Sequence, residues 1–188
     1  MSTQVRFSIH DFDHLPEDNS KRYEIIDGEL YVSTAPDIDH QAVSFRIAYA
    51  LQQWNDRMRS GFTVVNPGVI FADDNAVVPD VIWISRERNE RYLGDDRKLR
   101  GAPELVVEVL SPGSANQARD LQFKRKLYSR QDVSEYWIVD WREATIRVYR
   151  RENAVLQLAA TLSAEDSLES PLLPGFSLRV GELCAPFG

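Results

Sequence analysis

A single cysteine, Cys184, among 188 residues rules out an intrachain disulfide. A lone thiol near the end of an apolar strand is read as packing and given no role. With three histidines in the whole chain there is also no zinc-type Cys/His cluster. No apolar run approaches the roughly 20 residues that a bilayer-spanning helix needs. The opening Met1-Ser2-Thr3-Gln4-Val5-Arg6 lacks the charged-then-apolar pattern of a secretory leader. No membrane partner is therefore expected, and the cytoplasm is the expected compartment. Gly-rich phosphate loops, Ser-His-Asp orderings, repeats and low-complexity linkers are absent too. Positive charge is in deficit, with 22 Lys and Arg against 29 Asp and Glu and a net charge of -7. That balance argues against a protein that coats nucleic acid non-specifically, because such binding depends on neutralising phosphates.

What is present suits one domain over residues 1–188, with 43% apolar and 27% charged residues. Residues 1–21 carry scattered apolar positions and read as a short helix or cover segment. Tyr23 to Ile26 and Glu29 to Val32 flank Asp27-Gly28, the pair that a two-residue type I′ hairpin turn favours. From His40 to about Trp54, apolar residues recur at Val43, Ile47, Ala50, Leu51 and Trp54, a helix with one buried face and Asp37 or Asp39 as its cap. Phe62 to Val65 and Val69 to Phe71 read as a strand pair across Asn66-Pro67-Gly68. Val77 to Ile84 reads as a strand made irregular by Pro79. Residues 86–100 are of mixed charge and read as a loop or short helix. Ser114 or Asn116 is expected to cap a helix running to about Arg130, beyond which strands are expected at Ser134–Asp140, Thr145–Tyr149, Leu156–Leu162 and Phe176–Val180. The fold class is α/β or α+β, a mixed sheet flanked by helices.

The most informative stretch is Ala102 to Pro112, a short Val-rich run of buried-strand character interrupted by Glu108. A carboxylate there costs several kcal/mol to bury unless something cationic meets it. The helix that follows supplies a match. At about 100° per residue, Leu121, Phe123, Leu127 and Tyr128 form its apolar face, and Lys124 falls in the middle of that face. Asp80 is a third charge, placed after Pro79 at the start of an apolar strand. Two readings follow. One is a structural ion pair between Lys124 and Glu108 or Asp80. The other is a hard, all-oxygen cation site of two carboxylates with a lysine alongside, an arrangement suited to phosphodiester cleavage. His40, at a helix start, reads as a cap or surface group, with a place near the site as the alternative. Tyr128 reads as core packing, with a hydroxyl near the site as the alternative. Glu104 is expected just outside the buried part of the strand, and Glu135 and Asp140 flank another.

The combination of Val78-Pro79-Asp80, Ala102 to Pro112, Asp120-x-x-x-Lys124-x-x-x-Tyr128 and Glu135 to Asp140 resembles the Uma-two family. These are bacterial candidate restriction endonucleases of the PD-(D/E)xK nuclease superfamily. Tyr23 to Leu30, His40 and Leu173-Pro174-Gly175-Phe176 extend the resemblance over nearly the whole chain. It implies a restriction-endonuclease-like fold and a Mg2+- or Mn2+-dependent endonuclease acting on DNA. Asp80 and Glu108 would be its metal ligands, with the Val109 carbonyl as a third and Glu24 as a further acid near the metal. Leu110 stands where the superfamily's lysine is usual, two residues after Glu108, and the resemblance moves that role to Lys124. Asp132 replaces a usual glycine. DNA is expected along Arg119, Arg125, Lys126 and Arg130, where residues 117–130 hold five basic groups against one acid, and along the 86–100 segment. A homodimer fits such an enzyme because cutting both strands takes two sites. The rival is a nuclease-fold binding or regulatory protein without catalysis, which the acidic charge favours.

Overall fold

The computed structural model describes residues 5–18, 20–111 and 119–185. A single 3-10 turn at Ile9–His14 precedes the hairpin of β1 (Lys21–Ile26) and β2 (Glu29–Thr34). Asp27 and Gly28 both have positive φ, at 52° and 75°, which is what the Asp-Gly turn requires. The long helix α1 (Ile38–Met58) begins at Asp37, whose side chain accepts from the backbone N–H of His40, and ends on Arg59 in the left-handed region. Next come β3 (Gly61–Val65), β4 (Val69–Ala72), β5 (Asn75–Val77), β6 (Val81–Ser85), α2 (Arg86–Tyr92) and β7 (Leu105–Val109). A wide π-type turn at Arg119–Lys124 runs into α3 (Arg125–Arg130). The remainder is β8 (Glu135–Asp140), β9 (Thr145–Glu152), β10 (Val155–Leu162), β11 (Ser167–Glu169), β12 (Ser177–Arg179) and the short α4 (Val180–Leu183). No helix among the described residues is long and apolar enough to cross a membrane.

A six-stranded mixed sheet, ordered β10-β9-β8-β7-β6-β3, carries the fold, and a second sheet is ordered β2-β1-β5-β4. Within the first, β7 and β8 are parallel and the other neighbours antiparallel. Strand alternation sorts β7 cleanly. Leu105, Val107 and Val109 join α1 residues Val43, Ile47, Leu51 and Trp54 in one core. Val106 and Leu110 join Ile82, Ile84, Leu127, Tyr128 and Tyr136 in the core on the opposite face. Glu108 shares the parity of that second group.

Three expectations are corrected. Residues 62–65 and 69–71 are not strand partners, because β3 pairs with β6 and β4 pairs with β5 in the other sheet. Gly61 makes the β3–β6 approach possible: a Cβ there would stand 2.2 Å from the Ile84 carbonyl oxygen. The reading of Val77 to Ile84 as one strand also fails. Residues 78–80 are non-strand, and β5 and β6 on either side belong to different sheets. Proline lacks the N–H needed for a ladder, so the chain switches sheets at Pro79. Phe123 is also misassigned, being 43% exposed and set against Tyr31 with ring centroids 6.2 Å apart. The expected caps Ser114 and Asn116 lie outside the described residues, as do the side chains of Arg119, Asp120 and Leu121.

Candidate functional site

Asp80 immediately precedes β6, and Glu108 is the fourth residue of β7. The register Val81 to Val107 and Ile82 to Val106 carries on to set Asp80 alongside Glu108, on the face shared with Ile82 and Val106. Asp80 therefore gains a main-chain partner on the neighbouring strand: the Val109 N–H donates to its Oδ2 at 2.9 Å. Glu24 comes from β1, paired to β5 through Ile25 and Ala76. Lys124 is the last residue of the π-type turn, and His40 sits in the first turn of α1.

All five side chains are buried, Lys124 to 1% exposure. Its Nζ lies 2.9 Å from Glu108 Oε1 and 3.0 Å from Glu24 Oε1. The Tyr128 hydroxyl donates to the same Glu108 oxygen at 2.8 Å. Glu24 Oε1 also accepts from the Val78 N–H at 2.9 Å, whereas its buried Oε2 has no hydrogen-bond partner among the described residues. On the other side of the cluster Arg22 Nη1 donates to Asp80 Oδ1 at 3.0 Å and to the Val78 carbonyl at 3.2 Å, while Nη2 donates to Asn66 Oδ1 at 2.7 Å. His40 Nε2 stands 3.0 Å from the Val109 carbonyl oxygen and 3.2 Å from Asp80 Oδ2. Two acceptors around one ring nitrogen assign the proton to Nε2.

Burial alone would raise the Asp80 carboxyl, but His40, Arg22 and the Val109 N–H together pull it down to about 2. Burial works against the Arg22 guanidinium as well, but the charge and hydrogen bond of Asp80 together with the charges of Glu108 and Glu24 outweigh it, so the group is held more firmly protonated than usual. Burial first, and then the Glu108 charge, push the Tyr128 hydroxyl well above its ordinary range, so it stays a donor. Among the described residues, three carboxylates (Glu24, Asp80, Glu108) gather against the Arg22 guanidinium, the Lys124 ammonium and the His40 ring. Beside them is a cavity of about 20 Å3 lined by Asp80, Glu108, Val109, His40 and Lys124, with Ser33, Thr34 and Ser111 at its margin. That is room for about one water or ion. No group of three His, Cys, Asp or Glu side chains among the described residues is gathered as a ready metal cage. The donors nevertheless fit a hard cation: carboxylate and carbonyl oxygens beside space for one ion.

Asp80, Glu108, Val109, Lys124 and Glu24 thus converge, as the residue spacing and the resemblance suggested. His40 is corrected from a cap or surface group to a buried member of the cluster, because the first turn of α1 points into the sheet end. Arg22 escaped sequence reading altogether. Strand alternation was the available signal, since Arg22 lies two residues before Glu24 and so on the same face of β1. Tyr128 fulfils both of its readings, as core and as a hydroxyl on Glu108. The more distant helix cations are engaged elsewhere. Arg125 lies over the Tyr149 ring at 5.4 Å and Arg130 pairs with Asp27 at 2.6 Å, while Lys126 is exposed. In the 86–100 segment, α2 is ordered, with Arg88 bound to Glu104 at 3.3 Å.

Carboxylates at the ends of two adjacent central strands of a mixed sheet, with a buried lysine behind them, define a nuclease-like α+β architecture. A crystal structure described as a putative nuclease belonging to DUF820, from Anabaena variabilis ATCC 29413, has this fold. It superposes with a TM-score of 0.76 at 18% identity, covering 95% of this chain and 98% of that one. The type IIG restriction endonuclease BpuSI aligns more loosely, with a TM-score of 0.41, 16% identity, 81% of this chain and 16% of that one. No match was found among curated proteins. The chain belongs to the Uma2 family, described as putative restriction endonuclease, whose model matches residues 9–181.

Proposed function

We propose that this protein is a metal-dependent endonuclease that hydrolyses DNA phosphodiester bonds at the Asp80–Glu108 cluster. The observation that carries the reading is geometric: among the described residues, the buried Asp80 and Glu108 carboxylates, Val109 and the Lys124 ammonium line one cavity sized for a single ion. Asp80, Glu108 and the Val109 carbonyl would hold Mg2+ or Mn2+, with Glu24 as a further acid behind them. The bound ion supplies a water of lowered pKa and polarises the phosphoryl oxygen.

The protein's own groups do the rest. Lys124, fixed between Glu24 and Glu108, keeps its ammonium at the cavity wall, where it orients the attacking water and offsets charge developing on the phosphate. Tyr128 fixes the Glu108 carboxylate by its hydrogen bond, and Arg22 does the same for Asp80 from the opposite side. His40 Nε2 bridges the Asp80 carboxylate and the Val109 carbonyl, holding the two oxygens in place.

The test is incubation of purified protein with supercoiled plasmid and with circular single-stranded DNA, in Mg2+ or Mn2+, beside an Asp80→Ala variant. Nicking or linearisation by the wild type and its loss in the variant is the expected result. Intact DNA of both forms over long incubation would overturn the enzyme reading in favour of a binding protein, which the net charge of -7 favours.

A further inference from the structure

The carboxylate cavity, at about 20 Å3, admits an ion or a water but no nucleotide, so a substrate strand must lie across its mouth. An open groove of about 730 Å3 shares Arg22 and Pro36 with that cavity. Its walls combine three cations, Lys21, Arg22 and Lys98, with the half-buried rings of Phe12 and Tyr23. Glu17 and Asp18 are on the wall as well, and Asp18 pairs with Lys21 at 3.3 Å. With Arg22 already on Asp80, Lys21 and Lys98 are balanced by Glu17 and Asp18, so the groove is close to neutral in a chain whose net charge is -7.

We infer that this groove seats the nucleotides next to the scissile phosphate, and that it takes an extended single strand and not a duplex. The inference rests on the nuclease reading of the neighbouring cluster. A duplex presents one phosphate charge per about 1.7 Å of helix axis and calls for a broad cationic face. A near-neutral groove with aromatic walls and cations at a few points suits one unpaired strand, where base stacking supplies much of the binding. Arg22 joins the two sites. Its Nη1 is on Asp80 and the Val78 carbonyl, while its side chain, 20% exposed, reaches the groove wall. A strand lying in the groove therefore runs past the acids at the cavity mouth.

The test is fluorescence anisotropy with a labelled 12-nucleotide DNA strand and its duplex, metal chelated, on the full chain. The wild type is expected to bind the single strand about tenfold more tightly than the duplex. A Lys21→Ala/Lys98→Ala double variant, altered at two exposed positions, should lose about tenfold in single-strand affinity. An Arg91→Ala/Arg179→Ala variant, altered at two exposed positions outside the groove lining, should change it by less than about twofold. Equal or tighter duplex binding, an unchanged Lys21→Ala/Lys98→Ala variant, or no binding of either probe would overturn the groove. Plasmid nicking separates the two readings. Nicking without groove-dependent binding removes the groove and keeps the nuclease, whereas groove-dependent binding without nicking keeps the groove and removes the nuclease.

Discussion

Glu108 and Glu135 are both buried carboxylates on the neighbouring parallel strands β7 and β8, near opposite ends of their shared ladder. Glu135 accepts from the Trp137 indole N–H at 2.7 Å and from the Ser170 hydroxyl at 2.7 Å, with the partly exposed Arg150 Nε at 3.6 Å. Its charge is spread over neutral donors and one outer cation, and it ties the 170s segment to the sheet. Glu108 shares a buried ammonium with Glu24 and stands beside Asp80. A buried carboxylate is therefore not by itself a site. Acids gathered at a cavity sized for one ion make one, because their oxygens can then meet a further cation.

The comparison breaks most sharply in catalysis. Glu108→Gln is expected to lower DNA cleavage by roughly a thousandfold, as is Asp80→Ala, while Glu135→Gln leaves the rate within about twofold. Initial rates on plasmid DNA measure all three. Lys124→Met should lower the rate by about a hundredfold and destabilise the fold by about 3 kcal/mol, since it leaves two buried carboxylates uncompensated; urea titration reads the second effect. Glu135→Ala should cost about 2 kcal/mol of stability by orphaning the Trp137 and Ser170 donors, with the cleavage rate unchanged.

The smallest effect concerns pH. Asp80 is held near 2 in the fold against 3.8 when free. A depressed carboxyl contributes stability that is present above the unfolded value and lost as pH falls through the folded one. About 2 kcal/mol should therefore disappear between roughly pH 5 and pH 2. The wild-type advantage in melting temperature over Asp80→Asn should shrink across that window and stay flat above it.

Much of the site was legible because charges stood where apolar periodicity forbids them. Glu108 interrupts a Val-rich strand, and Lys124 interrupts a helical stripe. The Asp27-Gly28 turn was legible for another reason, since both residues accept the positive φ that a two-residue hairpin turn requires. Asp132 shows local chemistry confirming a departure: its φ of 63° is the left-handed conformation that explains why a glycine is usual there. Arg22 and His40 were not legible. Neither breaks a pattern, since a strand's polar face and a helix's first turn both tolerate such residues, and only the tertiary approach of β1 and α1 to the sheet end reveals them. The strand assignments around Pro67 and Pro79 failed because a turn signal says that the chain bends, not which sheet it enters next.

The central claim is that the Asp80–Glu108 cluster draws a divalent cation and the Glu135 cluster does not. Calorimetric titration of Mn2+ into the wild type, Glu108→Gln and Glu135→Gln tests it directly. The account predicts the same affinity in the wild type and Glu135→Gln, with more than about tenfold weaker binding in Glu108→Gln. Equal affinity in all three proteins, or no heat of binding in the wild type, would contradict it.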